Sequence, residues 1–530
     1  MARRKEKVCL CISIPVICII LIIIICVTHF NGQCIDGLYK KAAVAADSET
    51  CSKIGRDILQ LGGSAVDGAN ASTGIGGGSV FTIREQSGED HIINARETVP
   101  KAFKTDLLAM CPTTIQPMEG AHWIGVGDIR GCERAHKLYG CLPWASLTEP
   151  TIKMAREGVP VPYVMCFFYS QLFQNKEGKL LKEGDIVRFE KVTDTLEIIE
   201  QGAVALYNGD IAKNLVSDIQ SAGGTVSLED LRSFRLSELG YAWEVALGEA
   251  LSFILNTMLG FNLNSASLEG DEKVLTFQRY VETCKFANGL KFMKDPNFAS
   301  QTEAVEIIQK HFVDKVRAKI SPDRTYDASY YNVTPYLDSH GTTHVSVLAE
   351  DGMAVSVTST ISHMYNVSKL FLSFFSNLDS EFSPPKTGIL LNNELADFCG
   401  KTDQIHAGEQ PPSSISPVIL YSPSQKHIVV IGASGGSMIT TGMALTLMNF
   451  LWFGKTLRDS IDAPVVFVDS KNVLNFEPSF DKIVLESLQK TGHKVKVPQM
   501  FYNVVNAVSK ENNCIDAVSD SRKHGKATGY

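Results

Sequence analysis

A mixed α/β fold, with sheets inside and helices outside, is predicted by three observations. Residues 342–360 read as a β-hairpin, residues 427–452 as strand, glycine turn and helix, and several segments between them carry helical spacing. In the hairpin, Val345 and Val347, then Val355 and Val357, alternate with smaller or polar residues on either side of Glu350-Asp351-Gly352-Met353. Asp-Gly flanked by alternating residues is a strong short-range signal for a tight turn. A turn centred on Asp351-Gly352 sets Thr342 opposite Ile361 and Thr360 opposite Thr343, so contact between Thr342 and Thr360 requires a bulge or a shifted turn. Threonine favours strands on propensity alone, so the cluster Thr358-Ser359-Thr360 does not by itself declare chemistry.

The second element reads as a short buried strand at 427–431, then Gly432-Ala433-Ser434-Gly435-Gly436, then a helix over 437–452. Glycines let backbone N–H groups converge on one point, and a helix N-terminus adds about half a positive charge there. Such a turn can hold a phosphate, a carboxylate or the oxyanion of acyl transfer, and equally can be a plain connection. No Lys-Ser or Lys-Thr pair follows the glycines, which weakens the phosphate reading. Further helices are predicted at 45–61, 192–200, 211–220, 274–286 and 304–318, and further strands at 79–84 and 92–96; Gly223-Gly224 stops a helix.

The N-terminus sets topology. Residues 8–27 carry no charge and are rich in isoleucine, matching the about 20 residues an α-helix needs to cross a bilayer. Arg3, Arg4, Lys5 and Lys7 precede this run and residues 29–36 hold no Lys or Arg, so a cytoplasmic tail (1–7) and a signal anchor (8–28) are predicted, with the rest on the extracellular or luminal side. The formal net charge of −8, without a basic stripe, argues against nucleic acid. Of 13 cysteines, Cys9, Cys11, Cys18 and Cys26 lie in the anchor; an odd number faces the oxidising side, so at least one is unpaired or pairs between chains. Asn70, Asn332 and Asn366 head glycosylation sequons. No metal-ligand spacing is present, and no cofactor is implied.

Together with Leu391-Asn392-Asn393-Glu394-Leu395-Ala396-Asp397, Pro412-Ser413-Ser414, Gly62-Gly63-Ser64-Ala65-Val66-Asp67, Gly74-Ile75-Gly76-Gly77-Gly78, Asn94-Ala95-Arg96-Glu97 and the closing Ser519 to Tyr530, these pieces resemble the γ-glutamyltransferase (γ-glutamyl transpeptidase) family from about residue 40 onward. Asn94 to Pro100, His122 to Val126 and His344 to Leu348 are most similar to the branch acting on glutathione and leukotriene C4. The resemblance implies an N-terminal-nucleophile hydrolase with a four-layer αββα sandwich. It further implies self-cleavage at Gly341-Thr342 into a large part (29–341) and a small part (342–530) that remain a heterodimer. Once Thr342 is a chain start, its α-amine, with a reference pKa of about 7.7 to 8.0, can take its own hydroxyl proton.

The resemblance assigns Thr342 as nucleophile, Thr360 as the residue positioning its hydroxyl, and Gly435 and Gly436 as the oxyanion hole. Arg96 is matched to the substrate α-carboxylate, with Ser413 and Ser414 helping, and Glu394 and Asp397 to the α-ammonium. A planar bidentate donor opposite paired acceptors suits a zwitterionic glutamyl head. The implied reaction is γ-glutamyl transfer from glutathione and its S-conjugates to water, an amino acid or a dipeptide, on the plasma membrane. Departures support an alternative, a catalytically silent homologue serving as a membrane-bound binding or scaffold protein. Ser362 replaces an asparagine of the γ-glutamyl site; a helical stretch with a cysteine, the pairing partner the family implies for Cys51, is shortened to 68–73; a strand near 243–252 is lost; and 365–385 is longer than the pattern. A related acylase with another acyl group is a third reading.

Overall fold

A computed structural model describes residues 34, 37–111, 124–160, 181–182, 184–240, 248–290, 308–333, 335–336, 341–362, 386–389, 392–498, 504–511 and 513–530. The predicted anchor at 8–28, Asn366, and the departures at 241–247 and 363–385 lie outside these residues. No helix among the described residues is long and apolar enough to cross a membrane.

Among the described residues, eleven strands build the two central sheets: β1 (Ala43–Ala46), β2 (Gly78–Arg84), β3 (Asp90–Ala95), β4 (Ser237–Gly240), β5 (Thr342–Leu348), β6 (Ala354–Thr360), β7 (Val418–Ser422), β8 (His427–Ser434), β9 (Val504–Glu511), β10 (Cys514–Ser519) and β11 (Thr528–Gly529). The first sheet runs β11-β1-β5-β6-β2-β3-β4 and the second β10-β9-β8-β7. Every pairing within them is antiparallel.

Side-chain alternation decides what lies on each face. Val345, Val347, Val355 and Val357 pack outward with Phe81, Ile83 and Ile93 against α1 (Glu49–Gln60), α2 (Ala65–Asn70) and α3 (Asp128–Tyr139). The opposite face meets the second sheet through Ala43, Ala45, Leu348, Ala354, Ile428, Val430 and Val508. Beyond that sheet, Val429, Ile431, Ala433, Val505 and Ala507 face α4 (Gly270–Asn288) and α5 (Met438–Leu451). The layers are therefore helix, sheet, sheet, helix.

Small and polar residues let the two sheets approach. Ser356 Oγ donates to the Ile431 carbonyl at 2.9 Å, and Ser346 Oγ to the Asn506 carbonyl at 3.2 Å. His344 is fully buried between Thr358 Oγ1 and Ser346 Oγ, both at 2.8 Å, and lies over Gly432, where a Cβ would come within 2.2 Å of its ring. Burial, and then the positive charge of Lys523, hold its pKa down to about 3, so the imidazole is neutral.

Two sequence expectations are corrected. Ala45 and Ala46 do not begin a helix: residues 43–46 form β1 and the helix starts at Glu49. Tertiary pairing with β5 and β11 overrides alanine's helical propensity. The hairpin turn is not a two-residue Asp-Gly turn. Ala349 N–H donates to the Met353 carbonyl at 3.0 Å, leaving a loop of Glu350, Asp351 and Gly352 with Gly352 at φ +92°. That moves the register by one residue and pairs Thr342 with Thr360.

Gly352→Val forces a β-branched residue into left-handed backbone and is expected to destabilise the protein by about 1–2 kcal/mol, read from the chemical-denaturation midpoint. An unchanged midpoint would contradict the turn geometry.

Candidate active site

Thr342 is the first residue of β5 and only 4% exposed; Thr360, directly opposite, is 3% exposed. Both side chains share the inner face of the sheet, and Thr342 Oγ1 donates to Thr360 Oγ1 at 3.5 Å. Thr360 Oγ1 in turn accepts from the Ser362 N–H at 3.2 Å. The preceding glycine is clamped as well: Gly341 N–H donates to the Ser362 carbonyl at 2.7 Å and its carbonyl accepts from Ile361 N–H at 2.9 Å. The Gly341-Thr342 peptide is thus fixed on both sides, with a hydroxyl beside it.

A residue that sequence reasoning left without a role completes this corner. Lys523 is buried, and its Nζ donates to the Thr342 carbonyl at 2.8 Å, to Asp47 Oδ2 at 2.5 Å and to Ser434 Oγ at 2.5 Å. Asn506 Nδ2 donates to Asp47 Oδ1 at 2.5 Å and to the His344 carbonyl at 3.2 Å. One ammonium therefore joins the strand that begins at Thr342, the residue after β1 and the residue preceding Gly435. The available signal was a charged residue inside the closing motif Ser519 to Tyr530.

Strand β8 continues to Ser434, three residues beyond expectation, so the turn narrows to Gly435 and Gly436 before α5 begins at Met438. Both glycines have positive φ, +124° and +62°, a conformation costly for other residues. The helix N-terminus follows at once, an arrangement that favours an anion at this turn.

A buried charge cluster lies next to the threonines. Arg96 Nε donates to Glu394 Oε2 at 3.0 Å, Nη2 bonds the same oxygen, and Asp397 Oδ2 and Glu97 Oε2 stand at 3.8 Å from Nη2 and 3.6 Å from Nε respectively. Ser362 Oγ donates to Asp397 Oδ1 at 2.7 Å, which connects this cluster to Thr360 and hence to Thr342. Ser362 sits at φ +70°, a left-handed conformation that asparagine enters more readily than serine.

Three carboxylates around one guanidinium cannot all ionise at ordinary pH. Burial pushes Glu394 up to about 7, opposed by Arg96 and reinforced by Asp397. Burial, then Glu394, raises Glu97 as well. Asp128, at the start of α3, is pushed by burial to about 6; it accepts from Gly77 N–H at 2.9 Å and from Ser359 Oγ at 3.1 Å, bracing the wall behind Thr343. Arg96 and Glu394, assigned to opposite ends of the glutamyl zwitterion, here neutralise each other.

The remaining candidates are placed as follows. Gln410 Nε2 donates to the Arg96 carbonyl at 2.9 Å, which ties the half-buried Ser413-Ser414 segment to Arg96; Ser413 Oγ accepts from Ile415 N–H at 3.3 Å. Asn332 is exposed. Asn70 is half-buried and its Nδ2 donates to the Cys132 carbonyl at 3.1 Å, so a glycan there would displace an interior hydrogen bond. Cys34–Cys514 and Cys111–Cys399 are disulfides, and Cys51 is buried. Among the described residues no group of three His, Cys, Asp or Glu could hold a metal ion.

The gamma-glutamyltranspeptidase family profile matches residues 51–530. The glutathione hydrolase 5 proenzyme of Rattus norvegicus is 37% identical, covering 96% of this chain and 96% of the relative; that of Homo sapiens is 35% identical with the same coverage. Scoloptoxin SSD14 of Scolopendra dehaani is 31% identical over 93% of each chain. The crystal structure of cephalosporin acylase from Bacillus halodurans superposes with a TM-score of 0.77 at 20% identity, covering 93% of this chain and 96% of that one, a likeness of fold. With the family profile spanning nearly the whole chain and relatives above 30% identity along its length, this protein belongs to the γ-glutamyltranspeptidase family.

Proposed function

We propose that the chain is a self-cleaving γ-glutamyltransferase that hydrolyses or transfers the γ-glutamyl group of glutathione and its S-conjugates, leukotriene C4 among them. The observation that carries this reading is the unbroken chain of contacts from Thr342 through Thr360, Ser362 and Asp397 to Arg96. It sets a strand-head hydroxyl next to a charge cluster suited to an amino-acid zwitterion.

Attack of Thr342 Oγ1 on the Gly341 carbonyl, followed by N-to-O acyl shift and hydrolysis of the ester, frees the Thr342 amine. That amine then takes the hydroxyl proton as the oxygen adds to the substrate's γ-carbonyl. The oxyanion is held by backbone N–H groups at Gly435 and Gly436, and the departing amine leaves with the proton. Water or an acceptor amine resolves the γ-glutamyl ester. Arg96 releases Glu394 as the α-carboxylate binds, and Glu394 with Asp397 takes the α-ammonium. The 8–28 anchor and exposed Asn332 support a type II protein of the plasma membrane with its catalytic part extracellular.

On a reducing denaturing gel, protein from animal cells is expected to give two chains, the smaller beginning Thr342-Thr343-His344 on N-terminal sequencing. Thr342→Ala should remain one chain and release no glutamate from a γ-glutamyl anilide. An uncleaved, inactive parent would instead favour a silent binding or scaffold protein. Arg96→Lys is expected to lower kcat/KM for the anilide about 100-fold, because the bidentate fork is lost; indifference to Arg96→Ala would point to an acylase for another acyl group.

The pH dependence has a definite sign. Glu394 titrates near 7 and must be ionised to accept an ammonium, so donor KM should rise as pH falls from 8 to 6. Glu394→Gln should raise KM throughout and remove this slope; a slope retained in the variant would assign it elsewhere.

A further inference from the structure

Both disulfides among the described residues cross the proposed scission point. Cys34 and Cys111 precede Gly341, and Cys514 and Cys399 follow it, with Cα separations of 5.5 and 5.6 Å. The second lies beside the charge cluster. Cys399 is two residues beyond Asp397, at the end of a 3₁₀ turn over Glu394–Phe398. Cys111 ends the 3₁₀ turn Leu107–Met110. Leu107, Val99, Ile124, Leu395 and Phe398 form one small apolar cluster around this link. The segment from Arg96 to Cys111 and the segment from Glu394 to Cys399 are thus joined at one end by the Arg96–Glu394 ion pair and at the other by a covalent bond.

After scission these two segments belong to different chains. Arg96 and Glu97 on one chain face Glu394 and Asp397 on the other, and when Arg96 turns to a substrate carboxylate the Arg96–Glu394 ion pair no longer ties the two segments. Resting on the cleavage reading above, we propose that the mature protein is a covalently joined two-chain molecule. In it Cys111–Cys399 positions Glu394 and Asp397 for the substrate ammonium, and Cys34–Cys514 is a second, distant tie. Each link forms as two thiols give up two protons and two electrons to a partner disulfide of the oxidising compartment, which leaves as two thiols. Reduction with dithiothreitol runs the other way, returning two cysteine thiols and cyclic oxidised dithiothreitol.

The test compares the purified full-length protein on denaturing gels with and without dithiothreitol. One band without reductant and two with it are expected; two bands in both lanes overturn the proposal. Should the reduced sample stay a single chain, the cleavage reading fails, and tryptic mapping without reductant still decides the links. Peptides joining Cys34 to Cys514 and Cys111 to Cys399 sustain them, and alkylated thiols at these positions overturn them. In kinetics, Cys111→Ser with Cys399→Ser is expected to raise donor KM at least about fivefold with kcat within about twofold, while Cys34→Ser with Cys514→Ser leaves KM unchanged. An unchanged KM in the first pair, or an equal rise in both pairs, overturns the positioning role. If the first pair fails to fold, dithiothreitol titration of the intact protein gives the same readout, KM rising as the Cys111–Cys399 peptide pair disappears.

Discussion

The pairing of Thr342 with Thr360 on the inner face of the sheet is the constraint from which the rest of the site follows. Side chains alternate with period two, so a slip of one residue along β5 would carry Thr342 to the helical layer and bring Thr343 inward. The three-residue loop with Gly352 sets the register, and the valines confirm it from the other side, because Val345, Val347, Val355 and Val357 all reach the helical layer only in this pairing. Hydrophobic burial on one face thereby aims a hydroxyl on the other.

Lys523 anchors that register at the site itself. Its ammonium is shared by the Thr342 carbonyl, Asp47 and Ser434, elements distant in sequence that meet only in the folded chain. Removing one partner of a buried ion pair costs about 3–5 kcal/mol, a large part of the about 5–15 kcal/mol that holds a domain folded. One cation thus holds the residue before Gly435 and the strand that begins at Thr342, so in the proposed mechanism the same corner serves folding and chemistry. The charge cluster around Arg96 is a second polar element of the interior, in which Arg96 and Glu394 satisfy each other; under the proposed function a substrate zwitterion takes both.

Much of this was legible in the sequence, and the exceptions have physical reasons. Strand and helix periodicity marked β6 at its observed limits and α5 to within a residue at each end, because valine alternation and a long apolar helix are local signals. The alanines of β1 were read as helix because their strand state comes from partners some three hundred residues and more away along the chain. The turn was misjudged by one residue, since Asp-Gly serves two-residue and three-residue loops alike. Arg96, Glu394, Asp397 and Ser362 entered as separate resemblances; only the folded chain shows that Ser362 connects the acceptors to the threonines. Lys523 and Asp47 escaped because a lone lysine and a lone aspartate at opposite ends of a chain carry no spacing that announces a pair. Helix α2 opens with a capping box between Ser64 and Asp67, a local signal at the start of the shortened stretch that the resemblance implies.

The most direct test of the central claim is to trap the acyl group on the nucleophile. Protein mixed with a γ-glutamyl anilide, quenched in acid within the first turnover and digested, should yield the peptide beginning at Thr342 carrying one γ-glutamyl group on its side-chain oxygen. Finding that group on another residue, or finding substrate consumed with no adduct at Thr342 at any quench time, would contradict the account.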